Sequence, residues 1–213
     1  MRLLIAITLF ATLLTTALPV YAKPPKGFNT GPYLAIEAGV TQASFDTDQV
    51  DGTKVGRDFE PTFGFIFGWN LFDYFATELQ GRYATNRNND RRIHIAQANV
   101  YTKWFLVTDA LTDFPTFRIL PFLKGGMGVR ASVLPGNTGS TDTSVTSIGW
   151  GPTFGAGVSF IWKKYFYFGV DVQEDLFLFD DIRQTVNGVP NTLVYKGGFH
   201  PCFGAMAILG VHY

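Results

Sequence analysis

The stretch SIGWGPTFGAGVSFIW, residues 147–162, decides the fold because its side chains alternate between two kinds along nearly all of its length. The odd positions from Ser147 to Ser159 carry only glycine, serine and threonine. The even positions carry the apolar residues Ile148, Trp150, Pro152, Phe154, Ala156, Val158, Phe160 and Trp162. A period of two over this length predicts a β-strand. Since the face with small side chains has no charge, it suits a narrow enclosed interior better than a solvated surface.

The same alternation recurs along the chain in segments of comparable length. It predicts seven further strands, over residues 33–45, 59–70, 74–83, 96–105, 117–130, 166–175 and 199–213. The faces are least clean near the fourth segment, where Ile93 and Ile95 break the pattern, and in the fifth, where Phe122 lies on the polar face. In the last segment Met206 and Ile208 make the inner face less polar than elsewhere. The sequence therefore predicts an all-β protein of eight antiparallel strands.

The predicted connections differ in length between the two ends of the strands. NLFD (residues 70–73) and KKY (163–165) are short, and LVTDALTDFPT (106–116) lies at the same end. The connections at the other end are polar and mostly long, over residues 46–58, 84–92, 131–146 and 177–198. Short turns at one end and polar loops at the other are typical of an up-and-down transmembrane β-barrel of the bacterial outer membrane. Because no edge can be left unpaired in lipid, the last strand is expected to pair with the first.

The beginning of the chain has the composition of an export signal. Arg2 precedes an apolar run over residues 3–14, and the run is followed by small or modest residues up to Ala22. This pattern predicts a cleaved signal peptide over residues 1–22, a short exported linker over 23–30 and a barrel domain over 31–213. No later run is long enough for a transmembrane helix. The zero net charge shows no basic excess that would favour nucleic acid, and the single cysteine, Cys202, rules out an internal disulfide.

Aromatic residues cluster near both ends of the predicted strands. The short-turn end has Trp69, Trp104, Trp162 and Tyr213, and the other end has Trp150. Aromatic girdles bracketing an apolar band are expected where side chains meet lipid headgroups. The sequence therefore predicts that these five residues lie at the two membrane interfaces, with Tyr213 at the foot of the closing strand.

The inward face of the predicted barrel holds charged residues of both signs. They are Glu37, Glu78, Arg82, Lys103, Lys124, Arg130 and Asp171. Buried charges must be paired, so we expect a structural salt-bridge network that fills the lumen. An alternative is a narrow gated ion path in which these pairs exchange partners. Eight strands leave an interior only just filled by side chains, so the expectation is little steady conductance.

The hairpin segment GWNLFDYFATELQGRY (68–83) and the ending ILGVHY (208–213) accompany the eight alternating segments. Together with the signal peptide they resemble the small outer-membrane β-barrel proteins related to the OmpA transmembrane domain, over about residues 31–213. The resemblance implies outer-membrane lipids and lipopolysaccharide as surroundings, and recognition of the C-terminal strand by the β-barrel assembly machinery. Family members often end in Phe where this chain has Tyr213. The chain leaves no room for the peptidoglycan-binding domain of larger relatives, so a tethering role is not expected.

Signals for catalysis are weak. His200 and Cys202 share a face and could form a thiolate pair, but Pro201 separates them and no orienting acid is evident. No serine stands at the spacing from a histidine that outer-membrane lipid A deacylases use, and no cluster suggests a metal or cofactor. We therefore expect a structural or surface-interaction protein without catalytic residues, with a lipid A-modifying enzyme as the alternative. Charged loop residues available to an extracellular ligand are Asp46, Asp48, Asp51, Arg87, Asp90, Arg91 and Arg92.

A different fold also fits eight alternating strands. A soluble exported barrel of the lipocalin type, binding a ligand in the periplasm, would place its bulky face inward. The direction in which the bulky face points distinguishes the two folds.

Overall fold

The computed structural model of the protein describes residues 30–42, 59–72, 74–88, 91–106, 117–134, 145–163, 165–186, 189–195 and 197–213. The predicted signal peptide and linker therefore lie outside the described residues, except for Thr30. The described chain forms ten strands: β1 (Gly31–Gln42), β2 (Phe59–Phe72), β3 (Phe75–Asn88), β4 (Arg91–Phe105), β5 (Phe117–Leu134), β6 (Val145–Trp162), β7 (Phe166–Phe179), β8 (Ile182–Val186), β9 (Val189–Tyr195) and β10 (Gly198–His212). Within these ranges no helix is long and apolar enough to cross a membrane.

Eight of the strands close into one antiparallel barrel, which confirms the predicted fold class. The order around the barrel is β1, β2, β3, β4, β5, β6, β7 and β10. The barrel closes between β10 and β1, whose register runs from Tyr33 opposite His212 to Thr41 opposite Gly204. Closure gives each barrel strand two neighbours, so the barrel has no free edge.

The stagger of the strands sets the width of the interior. One row of register partners runs from Gly31 through Asn70, Ala76, Lys103, Lys124, Gly155, Gln173 and Gly204 to Thr41. The row thus returns to β1 ten residues beyond its start. With eight strands and ordinary strand spacing, this shear gives a backbone radius of about 8 Å. Such a barrel has space inside for side chains and little else.

Side-chain direction follows the predicted alternation. The bulky apolar face points outward, so that Ile36 and Phe63 are each 65% exposed, while the thin or polar face points into the lumen. Ile93, Ile95 and Phe122 lie on the inward face among the polar residues, as their positions in the alternation predict, and all three are buried. The inward face of a narrow barrel is a packed core, and apolar side chains are accepted there near its ends.

Two of the predicted loops are corrected by the structure. Residues 84–92 are mostly strand, since β3 and β4 continue until Asn88 lies opposite Arg91. In the segment 177–198, β7 continues to Phe179, and β8 and β9 form a separate two-stranded sheet. Backbone pairing continues in both places although the alternation is lost, at residues 84–92 because the side chains are mostly polar and at Phe177–Phe179 because both faces are apolar. We call this end of the barrel the loop end, and the end with Gly31, His212 and the turns after Phe72 and Trp162 the turn end.

Candidate functional site

The lumen holds a layer of charged and amide side chains at mid-depth. Because successive residues of a strand face opposite sides of the sheet, each barrel strand sends every second side chain into this space. The buried members of the layer are Glu37, Gln80, Glu78, Arg82, Gln97, Asn99, Lys103, Lys124, Asp171, Gln173 and Asp175.

Glu37 on β1 and Arg82 on β3 form a two-pronged ion pair. Arg82 Nε donates to Glu37 Oε1 at 2.7 Å, and Arg82 Nη2 donates to Glu37 Oε2 at 2.9 Å. Gln80 Nε2 donates a third hydrogen bond to the same carboxylate at 3.0 Å. A Cβ on Gly64, the register partner of Glu37, would lie 2.5 Å from Glu37 Oε1. The glycine therefore makes room for the carboxylate.

Lys103 on β4 and Glu78 on β3 form a second ion pair nearer the turn end. Lys103 Nζ lies 2.8 Å from Glu78 Oε1 and 2.9 Å from the Tyr167 hydroxyl. The Tyr33 hydroxyl donates to the same carboxylate oxygen of Glu78. The ammonium also lies 3.9 Å from the centroid of the Phe122 ring, a cation–π geometry. A buried cation is thereby compensated by one carboxylate and by aromatic faces.

Asp171 on β7 joins the remaining charges to the first pair. Lys124 Nζ donates to Asp171 Oδ2, and Arg82 Nη2 lies 3.9 Å from the same oxygen. Lys124 Nζ also lies 4.4 Å from the centroid of the Tyr101 ring. The structure thus places Glu37, Arg82, Asp171 and Lys124 in one chain of contacts and Glu78 with Lys103 in a separate pair.

Arg130 is set apart from these pairs, although the sequence analysis grouped it with them. It is fully buried on β5 towards the loop end, and its Nη2 donates to the Gln42 backbone oxygen at 3.2 Å. Asp175, a buried acid of the same lumen, instead accepts from Gln97 at 2.8 Å and from Gln173 at 2.5 Å. Among the described residues, Arg130 forms no ion pair.

Sequence reasoning did not assign the inward amides to the charge network, nor did it group the inward apolar residues into layers above and below the charges. Asn99 Nδ2 donates to Gln80 Oε1 at 3.0 Å and Gln97 Nε2 donates to Asn99 Oδ1 at 3.2 Å, which links the amides of the adjacent strands β3 and β4 along the lumen wall. At the turn end the lumen holds the buried residues Tyr33, Phe105, Leu120, Phe122 and Tyr167. At the loop end it holds Ile93, Ile95, Phe177 and Phe179. Strand parity was the signal that could have found all of them.

The two residues of the suggested thiolate pair have other contacts in the structure. Cys202 is buried, and its Sγ lies 3.6 Å from the backbone oxygen of His200. The His200 ring packs edge-to-face on Phe179, with ring centroids 5.5 Å apart. In the part of the chain that is described, no group of three histidine, cysteine or acidic side chains could hold a metal ion.

The five predicted interface aromatics lie on the outer surface. Trp69, Trp162 and Tyr213 are exposed at the turn end, and Trp150 is exposed towards the loop end. Trp104 is half-buried because it packs edge-to-face against Phe75, with ring centroids 5.9 Å apart. Between these positions the outer face is mostly apolar, with Glu174 on β7 as an exposed charged residue towards the loop end, and such a surface suits hydrocarbon better than water.

Comparison with known proteins agrees with this surface. The model of the family described as outer membrane protein beta-barrel domain matches residues 8–189, which leaves β10 outside the match. The structure is similar to that of Neisserial surface protein A, with a TM-score of 0.58 and 13% identity over 86% of this chain and 98% of that one. It is also similar to the outer membrane protein OprG from Pseudomonas aeruginosa, with a TM-score of 0.50 and 14% identity over 88% and 98% of the two chains. No curated protein matches the chain in sequence.

At these identities the similar structures establish the fold alone, while the family match covers most of the chain. The soluble periplasmic barrel considered from the sequence is therefore wrong, since the bulky face points outward and the matched family is one of outer-membrane barrels. The lipids and lipopolysaccharide of that membrane are its surroundings. The chain belongs to the outer membrane protein beta-barrel domain family and is an integral protein of the bacterial outer membrane.

Proposed function

We propose that this protein is a closed barrel whose role is structural or is carried by its extracellular segments, and that it is not a wide pore. The observation that carries the proposal is the set of ion pairs spanning the lumen, in which the side chains of Arg82, Glu37 and Asp171 are 2% exposed or less. Eight strands with this shear leave no water-filled channel once such side chains occupy the interior.

The two apolar layers support the same proposal. Phe105, Leu120 and Phe122 cross the lumen at the turn end, and Phe177 and Phe179 lie at the loop end. An ion crossing the barrel would have to lose its hydration at both layers, which is costly in an apolar environment. The charged layer between them is thereby separated from both aqueous sides.

Conductance in planar bilayers tests the proposal. The purified protein is expected to show no large, stable single-channel currents after its insertion has been verified by the shift in gel mobility between unheated and boiled samples. Large and stable currents from inserted wild-type protein would contradict it.

A narrow gated ion path is the second candidate, and one contact favours it. Arg82 lies within ion-pair distance of both Glu37 and Asp171, and Asp171 is also bound by Lys124, so a change of partners needs only short side-chain movements. Under this candidate, brief small openings would occur in wild type and their frequency would change in Arg82→Ala. The matched control is Arg118→Ala, since Arg118 lies at the start of β5, six residues along the strand from Lys124. Equal opening frequencies in the current recordings of wild type, Arg82→Ala and Arg118→Ala would exclude the gated path.

We further propose that any specific partner binds at the loop end. Loops on a rigid barrel are the usual site of displayed function. Deletion of residues 135–144 with an adhesion or serum-resistance assay tests surface binding, and wild-type behaviour of that variant would count against it.

We also propose that the protein performs no catalysis. An altered lipid A profile in a deletion strain would instead favour the lipid-modifying enzyme.

Insertion through the β-barrel assembly machinery is a further part of the proposal, with β10 as the strand that the machinery recognises.

A further inference from the structure

One charged side chain interrupts the apolar outer face of β7. Glu174 is exposed and stands between Val172 and Leu176 on the outward side of the strand. It lies eight residues from Phe166 at the turn end and four residues from Leu178 towards the loop end. The carboxylate of Glu174 therefore faces the loop-end half of the apolar surface and not the aqueous loops.

The protein itself provides no opposite charge for this carboxylate. Within the described part of the chain, Glu174 has no ion pair and no side-chain hydrogen bond. No lysine or arginine occupies an outward position on β7 or on its neighbours β6 and β10. A second copy packed through the same face would supply no cation either. Because ionisable side chains on a membrane-facing surface are costly and mark functional sites, an external cation is the expected partner.

Two aromatic side chains flank Glu174. Its register partners are Phe154 on β6, which is 37% exposed, and Phe203 on β10, which is 42% exposed. Directly opposite residues on one face of a sheet have Cβ atoms about 4.5–5.5 Å apart. Phe203 also packs edge-to-face against Phe59, with ring centroids 6.4 Å apart. Aromatic faces attract cations, more strongly where water is excluded, so the three side chains form a site suited to a cation.

Short side chains continue from Glu174 towards the middle of the outer face. The next outward row is Ala156, Val172 and Ala205, and the row after it is Val158, Val170 and Ala207. Larger rings follow at Phe160 and Phe168, which stack with centroids 5.0 Å apart. Glu174 and Phe168 are six residues apart, which is about 20 Å along a strand. The surface between them is long enough for a dodecyl chain.

We propose that Glu174 is the counter-ion of a membrane-facing binding site for a single-chain amphiphile with a primary ammonium group. The ammonium binds the carboxylate between the rings of Phe154 and Phe203, and the alkyl chain lies over the short side chains of β6, β7 and β10. A phospholipid with an amine headgroup fits less well, because its phosphate would meet the same carboxylate. Binding on the outer wall requires no opening of the lumen, so this proposal is independent of the closed barrel proposed above.

Dodecylammonium is the probe, and dodecyl maltoside is the neutral amphiphile with the same chain. In phosphatidylcholine nanodiscs containing the whole isotope-labelled protein, dodecylammonium is expected to shift the amide signals of Glu174, Phe154 and Phe203 saturably, and dodecyl maltoside is not. Glu174→Gln removes a charge from the membrane-facing surface, so it is expected to fold and to weaken the apparent affinity by about tenfold or more. Phe203→Leu keeps the carboxylate and is expected to weaken the affinity by a smaller factor.

The matched control moves the carboxylate away from the rings. Ala98→Glu in the Glu174→Gln background places an acid on the outward side of β4, where its register partners are Gly81 and Val129, and it is expected not to restore binding. Restored binding in this variant would overturn the proposal.

Three further results would overturn the proposal. The first is a set of equal, non-saturating shifts in wild type and Glu174→Gln, which would mean partition into the bilayer only. The second is an equal response to dodecyl maltoside, which would mean that the alkyl chain alone is recognised. The third is a dimer in native mass spectra that dissociates in Glu174→Gln, which would mean that a second copy covers this face.

Discussion

At the scale of single residues, the lumen shows how a buried charge is made tolerable. The Lys103 ammonium contacts the Glu78 carboxylate, the Tyr167 hydroxyl and the Phe122 ring, and Phe105 lies on another side with its centroid 5.2 Å away. Each contact replaces part of the hydration that burial removes. The pair is therefore best viewed as two residues that require each other and not as a net source of stability.

Lys103→Met tests that view. It removes the cation bonded to Glu78 and leaves the buried carboxylate with Tyr33 as its hydrogen-bond donor, so the free energy of unfolding is expected to fall by about 3–5 kcal/mol. The double variant Lys103→Met/Glu78→Gln removes both charges and is expected to recover more than half of that loss. Urea unfolding in lipid vesicles, followed by heat-dependent gel mobility, measures both variants. A double variant no more stable than Lys103→Met would show that the cost does not come from the unpaired carboxylate.

Some lumen positions require glycine because a large side chain faces them and leaves no room for a Cβ. A Cβ on Gly68 would overlap the Tyr33 ring, whereas a Cβ on Gly125, on the outer face, would meet nothing closer than 3.7 Å. Gly68→Ala is expected to destabilise by about 1–3 kcal/mol through overpacking, and Gly125→Ala to change stability little. The same unfolding assay compares them. Equal effects of the two substitutions would mean that strand propensity, and not the Tyr33 contact, sets the cost.

At the scale of the strands, the β6–β7 ladder has one interruption within its length. Pairing is continuous except at Gly151 and Pro152, which lie between Trp150 opposite Leu178 and Thr153 opposite Asp175. A Cβ on Gly151 would collide with the Leu176 carbonyl oxygen, so that oxygen faces β6, where Pro152 has no N–H to donate. One ladder hydrogen bond is therefore missing from the barrel wall.

Pro152→Val is expected to restore that bond and to raise the free energy of unfolding by about 1 kcal/mol. Amide hydrogen exchange at Trp150 and Thr153 is expected to slow as the ladder becomes continuous. Pro201→Val is the matched control, because Pro201 lies opposite Leu176 on the β10 side, where the Leu176 carbonyl does not point. Similar protection in both variants would argue that residue type, and not the restored bond, is responsible.

How far the sequence determines these elements depends on what constrains each one. Eight strands and their inward and outward faces could be predicted because lipid outside and a packed lumen inside make the alternation visible, as in residues 147–162. The continuation of β3 and β4 and the β8–β9 hairpin could not be predicted, since polar strands at the loop end lack that alternation. The sequence also could not show which charged residues of the lumen form ion pairs with each other. Whether Lys103 forms an ion pair with Glu78 or with Asp171 depends on the shear of the barrel. The sequence also places Arg130 on the inward face like the paired lumen cations, so it does not show that Arg130 is set apart from them.

At the scale of the whole molecule, the outer face and the lumen of the barrel differ in the side chains that they present. The outer face offers mainly apolar and aromatic groups to the bilayer between its two aromatic ends, while the lumen is layered as apolar, charged and apolar. Most of the lumen pairs connect strands that are not neighbours, as Arg82 on β3 does with Glu37 on β1 and Asp171 on β7, whereas Lys103 and Glu78 join the adjacent strands β4 and β3. Resistance to unfolding should therefore depend on interior contacts, whereas position in the membrane should depend on the outer face.

The position of the barrel in the bilayer can be tested by one charge moved along β10. Ala207 faces outward near the middle of the apolar face, opposite Ala38 on β1 and Val170 on β7, whereas Phe199 is 71% exposed near the loop end. Ala207→Arg is expected to cost about 2–4 kcal/mol of folding free energy in lipid vesicles, and Phe199→Arg about 0–1 kcal/mol, because the penalty for arginine falls from the bilayer midplane to the interface. In detergent micelles the difference should shrink, since a micelle adapts to a charge more readily than a bilayer does. Equal costs at the two positions in vesicles would mean that Ala207 does not lie at the membrane midplane, and the depth assigned to the aromatic ends would have to be revised with it.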